Sequence, residues 1–353
     1  MRVEENKPLA PLTTLGIGGP ARWFVAAKDE EDIVEATTWA REKGIRLFVL
    51  GGGSNLLVAD TGFNGLVLHI DLKGISLCEA AGLSNERVYQ VAAGEDWDQL
   101  VQRTVDDDCA GLECLAGIPG TVGGTPVQNV GAYGQEVSST INQVRAFDLQ
   151  KHAYADFSAT ECAFAYRHSR FNTTDRGRYV VTRVDYQLKM HGAPTLKYGD
   201  LQRAFEANVI PGLRDVADTV RRIRKSKGML LVEGDPDCRS AGSFFKNPIV
   251  SAERVSAVVA VAGVEPPQFS AGPGPQNCVK LPAAWLIEKA GFTKGYALGR
   301  AGISTKHTLA LVNRGGATAA EIVALARQIR ETVSQQFEIQ LEMEPVMLGI
   351  EKF

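Results

Sequence analysis

The chain has 353 residues, 44% of them hydrophobic and 22% charged, with a formal net charge of −3. That balance excludes a disordered chain, which carries less apolar surface and more net charge. The length exceeds what one compact core serves, so two or three packed units are expected.

Elements alternate along the first 70 residues. Arg22–Ala27 is a short apolar run. Asp29 caps a predicted helix whose Ile33, Ala36, Thr37 and Ala40 share a face, with Gly44 beyond its end. Arg46–Leu50 reads as a buried strand, and a strand–helix–strand opening predicts a parallel pair with a right-handed crossover. From 71 to 225 the spacing predicts a strand over Val88–Ala93 and a helix over Asp96–Asp107, with Trp97, Leu100, Val101, Thr104 and Val105 inward. Strands follow over Ile141–Leu149 and Arg178–Leu188, then a helix over Leu213–Lys227. From 226 onward the chain is loop-rich, with helix signals at Ser251–Ala262 and Pro282–Ala290. Thr318 and Glu321 make a capping box for a helix with Ile322, Leu325, Ile329 and Val333 apolar. The alternating tail Ile339–Glu344 predicts a strand. The class is α+β, divided at about 1–70, 71–225 and 226–353.

Several chemistries are disfavoured. No run reaches the roughly 18 apolar residues of a membrane span, and the opening MRVEENKPLAPLTTLGIGG lacks the apolar core of a secretory signal. Cys78, Cys109, Cys114, Cys162, Cys238 and Cys278 form no CxxC pair, and the five histidines form no HExxH. A reducing, cytoplasmic setting without structural metal or disulfides is expected. An acidic balance disfavours nucleic acid; the one basic run, Arg221 to Lys227, is short.

Glycine is the composition figure that departs from average: 36 residues, about one in ten against a usual figure of roughly 7%. Gly16–Ala21 formally fits GxGxxG/A, yet no apolar strand precedes it and Pro20 occupies the helix opening, so no dinucleotide site is expected there. Gly51-Gly52-Gly53-Ser54-Asn55 ends a strand, where successive N–H groups can form a nest for a pyrophosphate. The Gly117–Gly134 loop mixes glycine with Pro119, Pro126, Gln128, Asn129 and Tyr133. Rigidifying prolines and fixed amide donors suit a rigid loop against a flat, phosphate-bearing ligand better than a flexible linker.

GGGSNL followed by GIPGTVGGTPVQNVGAYG closely resembles the flavin-binding signature of the UDP-N-acetylenolpyruvoylglucosamine reductase family. The likeness continues through Tyr166-Arg167-His168-Ser169, Lys197–Leu201, Ser240–Pro248 and Val279–Ile287, and ends at Leu341–Glu344. The resemblance implies a two-part FAD-binding domain of the vanillyl-alcohol-oxidase type, followed by a C-terminal α+β substrate-binding domain whose last strand, about 338–349, carries a glutamate. It implies FAD held non-covalently, NADPH as reductant, and reduction of UDP-N-acetylglucosamine enolpyruvate to UDP-N-acetylmuramate for peptidoglycan. A monomer acting on small molecules, without nucleic-acid or membrane partners, is expected.

Residue by residue, the resemblance assigns flavin contacts to Gly51, Gly52, Gly53, Ser54, Asn55, Ile118, Pro119, Gly120, Thr121, Gly123 and Gly124. Gln128, Asn129, Ala132, Tyr133, Gly134 and Arg224 complete that set. It assigns substrate contacts to Tyr166, Tyr198, Lys227, Asn247 and Lys280, and none within the divergent segment 265–278. Arg167 is matched to the group that stabilises the enolate, since a planar guanidinium suits a carboxylate. Ser243 is matched to the general acid; no GxSxG elbow argues for an acyl-enzyme serine instead. Counting back from Gly349 selects Glu344 as the carboxylate partner, with Glu342 on the same face as the alternative. The competing reading is an oxidase of the same fold with flavin tethered to His69 or Cys114; a third is a flavin or UDP-sugar binding module without catalysis.

Overall fold

The structure, a computed structural model, describes residues 1–79, 85–206, 210–271 and 277–350. The chain divides into two compact units. Met1–Lys7, Ala21–Gly53 and Asn64–Lys225 form the first; Pro8–Pro20, Ser54–Phe63 and Ser226–Phe353 form the second. Segments 8–20 and 54–63 lie outside the N-terminal unit because Leu15, Ile17 and Leu57 bury in the second core.

The first unit contains two sheets. One orders its strands Glu4–Pro8, Pro20–Ala27, Phe63–Ile70, Leu47–Leu50. The expected strand–helix–strand pair is therefore not adjacent: Phe63–Ile70 lies between its members and runs parallel to Leu47–Leu50. Phe63–Ile70 is buried along most of its length, as an interior strand must be. Helix α1, Glu30–Glu42, is capped by Asp29, whose carboxylate accepts from Asp32 N at 2.8 Å. It buries Ile33, Ala36, Thr37 and Ala40, the face its spacing predicts.

The second sheet is antiparallel and orders Ala153–Ser158, Ile141–Asp148, Tyr179–Met190, Glu86–Ala92, Ile75–Glu79. Helix α2, Trp97–Asp106, is capped by Asp96 and buries its five predicted inward residues. The Trp97 indole donates to Leu115 O at 3.1 Å, tying α2 to the glycine-rich loop that follows. Helix α3, Gly199–Gln202, is a single turn, and α4, Leu213–Ser226, buries Val216 and Val220.

The second unit holds α5, Ala252–Ala262, α6, Ala283–Lys289, and α7, Ala319–Phe337. The Thr318–Glu321 capping box is formed, and Ile322, Leu325, Ile329 and Val333 are buried. The tail departs from expectation. Ile339–Glu344 meets Phe244–Lys246 through one isolated bridge, Phe245 to Met343, and the regular strand is Val346–Leu348, parallel to Leu56–Val58. Ile339 and Leu341 are buried while Gln340 and Glu342 are exposed, so the alternation reports a half-buried extended segment, which needs no ladder of its own. Among the described residues no helix is long and apolar enough to cross a membrane.

Candidate active site

Two glycine-rich loops meet in the first unit. A Cβ on Gly52 would lie 2.6 Å from Gly120 Cα, and one on Gly51 2.8 Å from Thr121 Oγ1. Only residues without side chains permit that approach. The second loop is fixed from below: Gly120 O accepts from Trp97 N, and Gly123 N donates to Ala93 O at 2.8 Å. Gly117 N donates to Asp98 Oδ1 at 2.6 Å, while Gly117 O accepts from Arg224 Nε at 3.0 Å. Arg221 holds Asp98 in place with a 2.9 Å contact. Burial pulls the Arg224 pKa below its ordinary value, against the raising effects of Tyr133 and Asp98.

The loop ends in a two-residue hairpin. Gly131 and Ala132 pair with Glu136 and Gln135, leaving Tyr133 and Gly134 as the turn, with φ of 50° and 82°. Positive φ at both central positions is the type I′ geometry that matches strand twist; glycine adopts it freely, a tyrosine only under strain. Tyr133 hydrogen-bonds Arg224 and meets Tyr198 edge-on at 5.4 Å. Asn129 has its amide occupied within the protein, donating to Glu136 at 2.9 Å and Ala165 O at 3.0 Å and accepting from Ser138 N.

A second strained turn faces that hairpin. Ala165 and His168 exchange two backbone hydrogen bonds of 3.0 Å, placing Tyr166 and Arg167 at the tip. Arg167 has φ of 55°, and bulky residues held there cost of order 1–3 kcal/mol each. Its guanidinium donates from Nη2 to Gly131 O at 3.0 Å and lies over the Tyr166 ring. Arg167, Tyr166, Tyr133, Tyr198 and Arg224 thus gather around one loop.

In the second unit, Ser243 follows Gly242, whose φ is 72°, and precedes buried Phe244 and Phe245. The bonds Glu344 N to Phe244 O, 3.0 Å, and Lys246 N to Glu342 O, 2.9 Å, set Glu344 opposite Phe244, one residue from Ser243. Asn55 secures this register, donating from its amide to Glu344 O at 3.2 Å and accepting from Val346 N at 2.9 Å. Glu342 is exposed and paired with Lys246 at 2.5 Å, whereas Glu344 is half-buried. The Ser243 hydroxyl has no hydrogen-bond partner among the described residues. Asn247 Oδ1 accepts from Ala283 N at the start of α6, and Lys280 pairs with Ile249 on the adjoining strand. Lys227 lies near His307. Burial first, then Lys227 and Lys294, push the His307 pKa down to about 4, against the pull of Glu288.

Residues 235–348 match the family described as UDP-N-acetylenolpyruvoylglucosamine reductase, C-terminal domain, and residues 21–151 match the FAD binding domain family. The UDP-N-acetylenolpyruvoylglucosamine reductase of Thermobifida fusca is 47% identical over 357 residues, covering 98% of each chain. That of Streptomyces coelicolor is 48% identical over 356 residues, covering 98% of this chain and 90% of its own. The chain belongs to the UDP-N-acetylenolpyruvoylglucosamine reductase family. It is an oxidoreductase of α+β fold built from an FAD-binding domain and that family's C-terminal domain. The crystal structure of the reductase from Thermus caldophilus superposes with a TM-score of 0.67 at 28% identity, covering 99% of this chain and all of the other.

The loop residues fit a flavin in one observable respect. Among the described residues Thr121 Oγ1 is buried with no hydrogen-bond partner, and buried polar atoms are rarely left so; a ligand against the Gly51–Gly53 and Gly120 backbones would supply one. Ile118 and Pro119 are half-buried between Gly117 and Gly120, and Ala132 lies in the hairpin. Gly124 N closes a turn onto Thr121 O, Gln128 is half-buried in the same loop, and Ser54 O accepts from Thr14 in the second unit. The residues weighed for a covalent tether have other roles. Cys114 is fully buried, donates to Thr195 O at 3.1 Å, and has its thiol pKa raised by burial. His69 stacks on Phe24 at 6.0 Å. Sequence reasoning missed Glu113, a fully buried carboxylate beside the loop; its signal was one charge inside the apolar run Leu112–Ala116.

Proposed function

We propose that this chain reduces UDP-N-acetylglucosamine enolpyruvate to UDP-N-acetylmuramate with NADPH, in the cytoplasm, as a step of peptidoglycan precursor synthesis. The full-length likeness to reductases of that name, 47% identical over 98% of the chain, carries the reading. FAD, bound non-covalently at the Gly51–Gly53 and Gly117–Gly134 loops, supplies hydride transfer from NADPH to the enol ether.

The residues of the chain handle charge and the proton. Arg167, held over the hairpin by its left-handed turn, meets the negative charge that develops on the substrate carboxylate; a fixed guanidinium needs no reorganisation to do so. Ser243 Oγ holds the proton delivered to the adjacent carbon. A hydroxyl is a weak acid, so this role depends on a strongly basic acceptor and fixed geometry, and a hydroxyl not engaged by any described residue is suited to it. Glu344 orients the reacting end beside Ser243. Tyr166, Tyr198, Lys227, Asn247 and Lys280 bind the UDP-sugar, the two lysines at its diphosphate.

NADPH consumption by the purified yellow protein, with and without UDP-N-acetylglucosamine enolpyruvate, tests the reading. Consumption should depend on the sugar nucleotide, and the flavin should leave the chain on denaturation. Oxygen serving equally well as acceptor, or flavin remaining on the denatured chain, would overturn it.

A further inference from the structure

Glu113 is 1% exposed, yet its described contacts contain no cation. Its carboxylate is held by neutral N–H groups from three separate segments. Oε2 accepts from Gly111 N at 2.8 Å; Oε1 accepts from Gln135 Nε2 at 3.1 Å and from Thr195 N at 2.8 Å. Gln135 returns a bond through its own oxygen, which accepts from Cys114 N at 2.9 Å. One carboxylate thus joins the start of the glycine-rich loop, the base of the Gly131–Glu136 hairpin and the segment leading to Tyr198. A buried carboxylate carries a large desolvation penalty unless its hydrogen bonds are filled, so a residue in this position persists for what it joins.

The hairpin and the 195–202 segment meet twice. At the base they share Glu113 Oε1. Farther out, a Cβ on Gly134 would lie 2.9 Å from Lys197 Cβ, and Tyr133 meets Tyr198 edge-on at 5.4 Å. Lys197 and Tyr198 are exposed, and two residues separate Thr195 from Tyr198. Thr195 is held on both sides, its N–H by Glu113 and its carbonyl by Cys114 Sγ, and of these two side chains that of Glu113 alone also holds the hairpin, through Gln135, with the tyrosine contact above it. The structure assigns to Glu113 the role of a positioning residue: it registers the Tyr198 segment against the Tyr133 hairpin, so that the nucleotide-binding tyrosine is presented beside the flavin loop. The registration is read from the structure alone; its effect on the UDP-sugar rests on the proposed function.

Glu113→Gln keeps the shape but sets an NH2 group against at least one N–H donor. Two measurements on the full flavoprotein separate the claims. Trypsin should cut after Lys197 about tenfold faster in Glu113→Gln than in the native chain, as expected for losing one hydrogen bond to a charged group, with melting temperature and flavin content little changed. The KM for UDP-N-acetylglucosamine enolpyruvate should rise by a similar factor, with the rate of flavin reduction by NADPH retained. Unaltered cleavage at Lys197 overturns the registration, whatever the substrate is. Faster cleavage with an unchanged KM overturns its functional consequence. A native protein that does not turn over the sugar nucleotide overturns the proposed function and leaves the cleavage test to decide the registration. Parallel loss of flavin, both half-reactions and melting temperature would make Glu113 merely structural. Should Glu113→Gln not fold, Gln135→Leu, which removes one of the three segments, should give the same split with a smaller rise.

Discussion

The two units present their functional groups in opposite ways. In the first, nearly every element near the candidate flavin loop is fixed: Asp98 and Arg224 grip Gly117, Glu113 grips Gln135 and Thr195, and two bulky residues, Tyr133 and Arg167, are held at positive φ. In the second, backbone bonds between Phe244–Lys246 and Glu342–Glu344, with the Asn55 amide on Glu344 O, set Glu344 near Ser243, and the Ser243 hydroxyl is unengaged among the described residues. A large planar ligand is recognised by shape, which needs a rigid backbone and glycines where it approaches closely. A group that moves a proton needs an unoccupied atom and one correct neighbour. The contrast predicts that damage in the first unit shows as lost cofactor, and damage in the second as lost turnover with the cofactor retained.

Ser243→Ala tests the second half of that contrast. Flavin reduction by NADPH should proceed at the native rate while reoxidation by substrate slows by roughly 10²–10⁴-fold, the usual worth of a general acid; stopped-flow absorbance separates the steps, and equal loss of both would refute the acid role. Arg167 is the exception that sharpens the comparison, because it stands on the rigid unit but is proposed to have a chemical task. Arg167→Ala should slow substrate-dependent reoxidation by roughly 10²–10³-fold, with flavin content maintained; a colourless protein would make it a loop support instead.

Stability should respond to pH through the second unit. The folded His307 pKa of about 4 lies below the unfolded value near 6.5. A depressed histidine pKa means that the unfolded chain binds the extra proton. Its stabilisation is complete above pH 6.5 and is lost as pH falls toward 4, amounting to about 3 kcal/mol. Thermal melts across that window should show the decline, and His307→Gln should flatten it. Gly52→Ala should cost about 1–3 kcal/mol, because its Cβ would meet Gly120 Cα at 2.6 Å and the loop backbone would have to shift. It should lower the flavin-to-protein absorbance ratio without altering substrate handling by the molecules that keep their flavin.

Local signals were legible in the sequence wherever one residue type does one job. The Asp29 and Asp96 caps, the Thr318–Glu321 box and the buried faces of α1, α2 and α7 appear as the spacing predicts. The glycine clusters marked close backbone approach, and the order of motifs marked the family. Pairing was not legible. Nothing local to Arg22–Leu50 states that Phe63–Ile70 inserts between its strands, and the alternation of Ile339–Glu344 is satisfied by one buried side without a ladder. The Asn129 amide joins the loop to Glu136 and Ala165, partners that no local pattern names. Glu113 escaped because a single buried carboxylate has meaning only once the segments it joins, 22 and 82 residues away, are brought to it.

The most direct test of the central claim is an anaerobic two-step experiment. The protein is reduced with one equivalent of NADPH until the flavin absorbance bleaches, and UDP-N-acetylglucosamine enolpyruvate is then added without oxygen. The account predicts return of the oxidised flavin spectrum with formation of one equivalent of UDP-N-acetylmuramate. Flavin that stays reduced until air is admitted would contradict it.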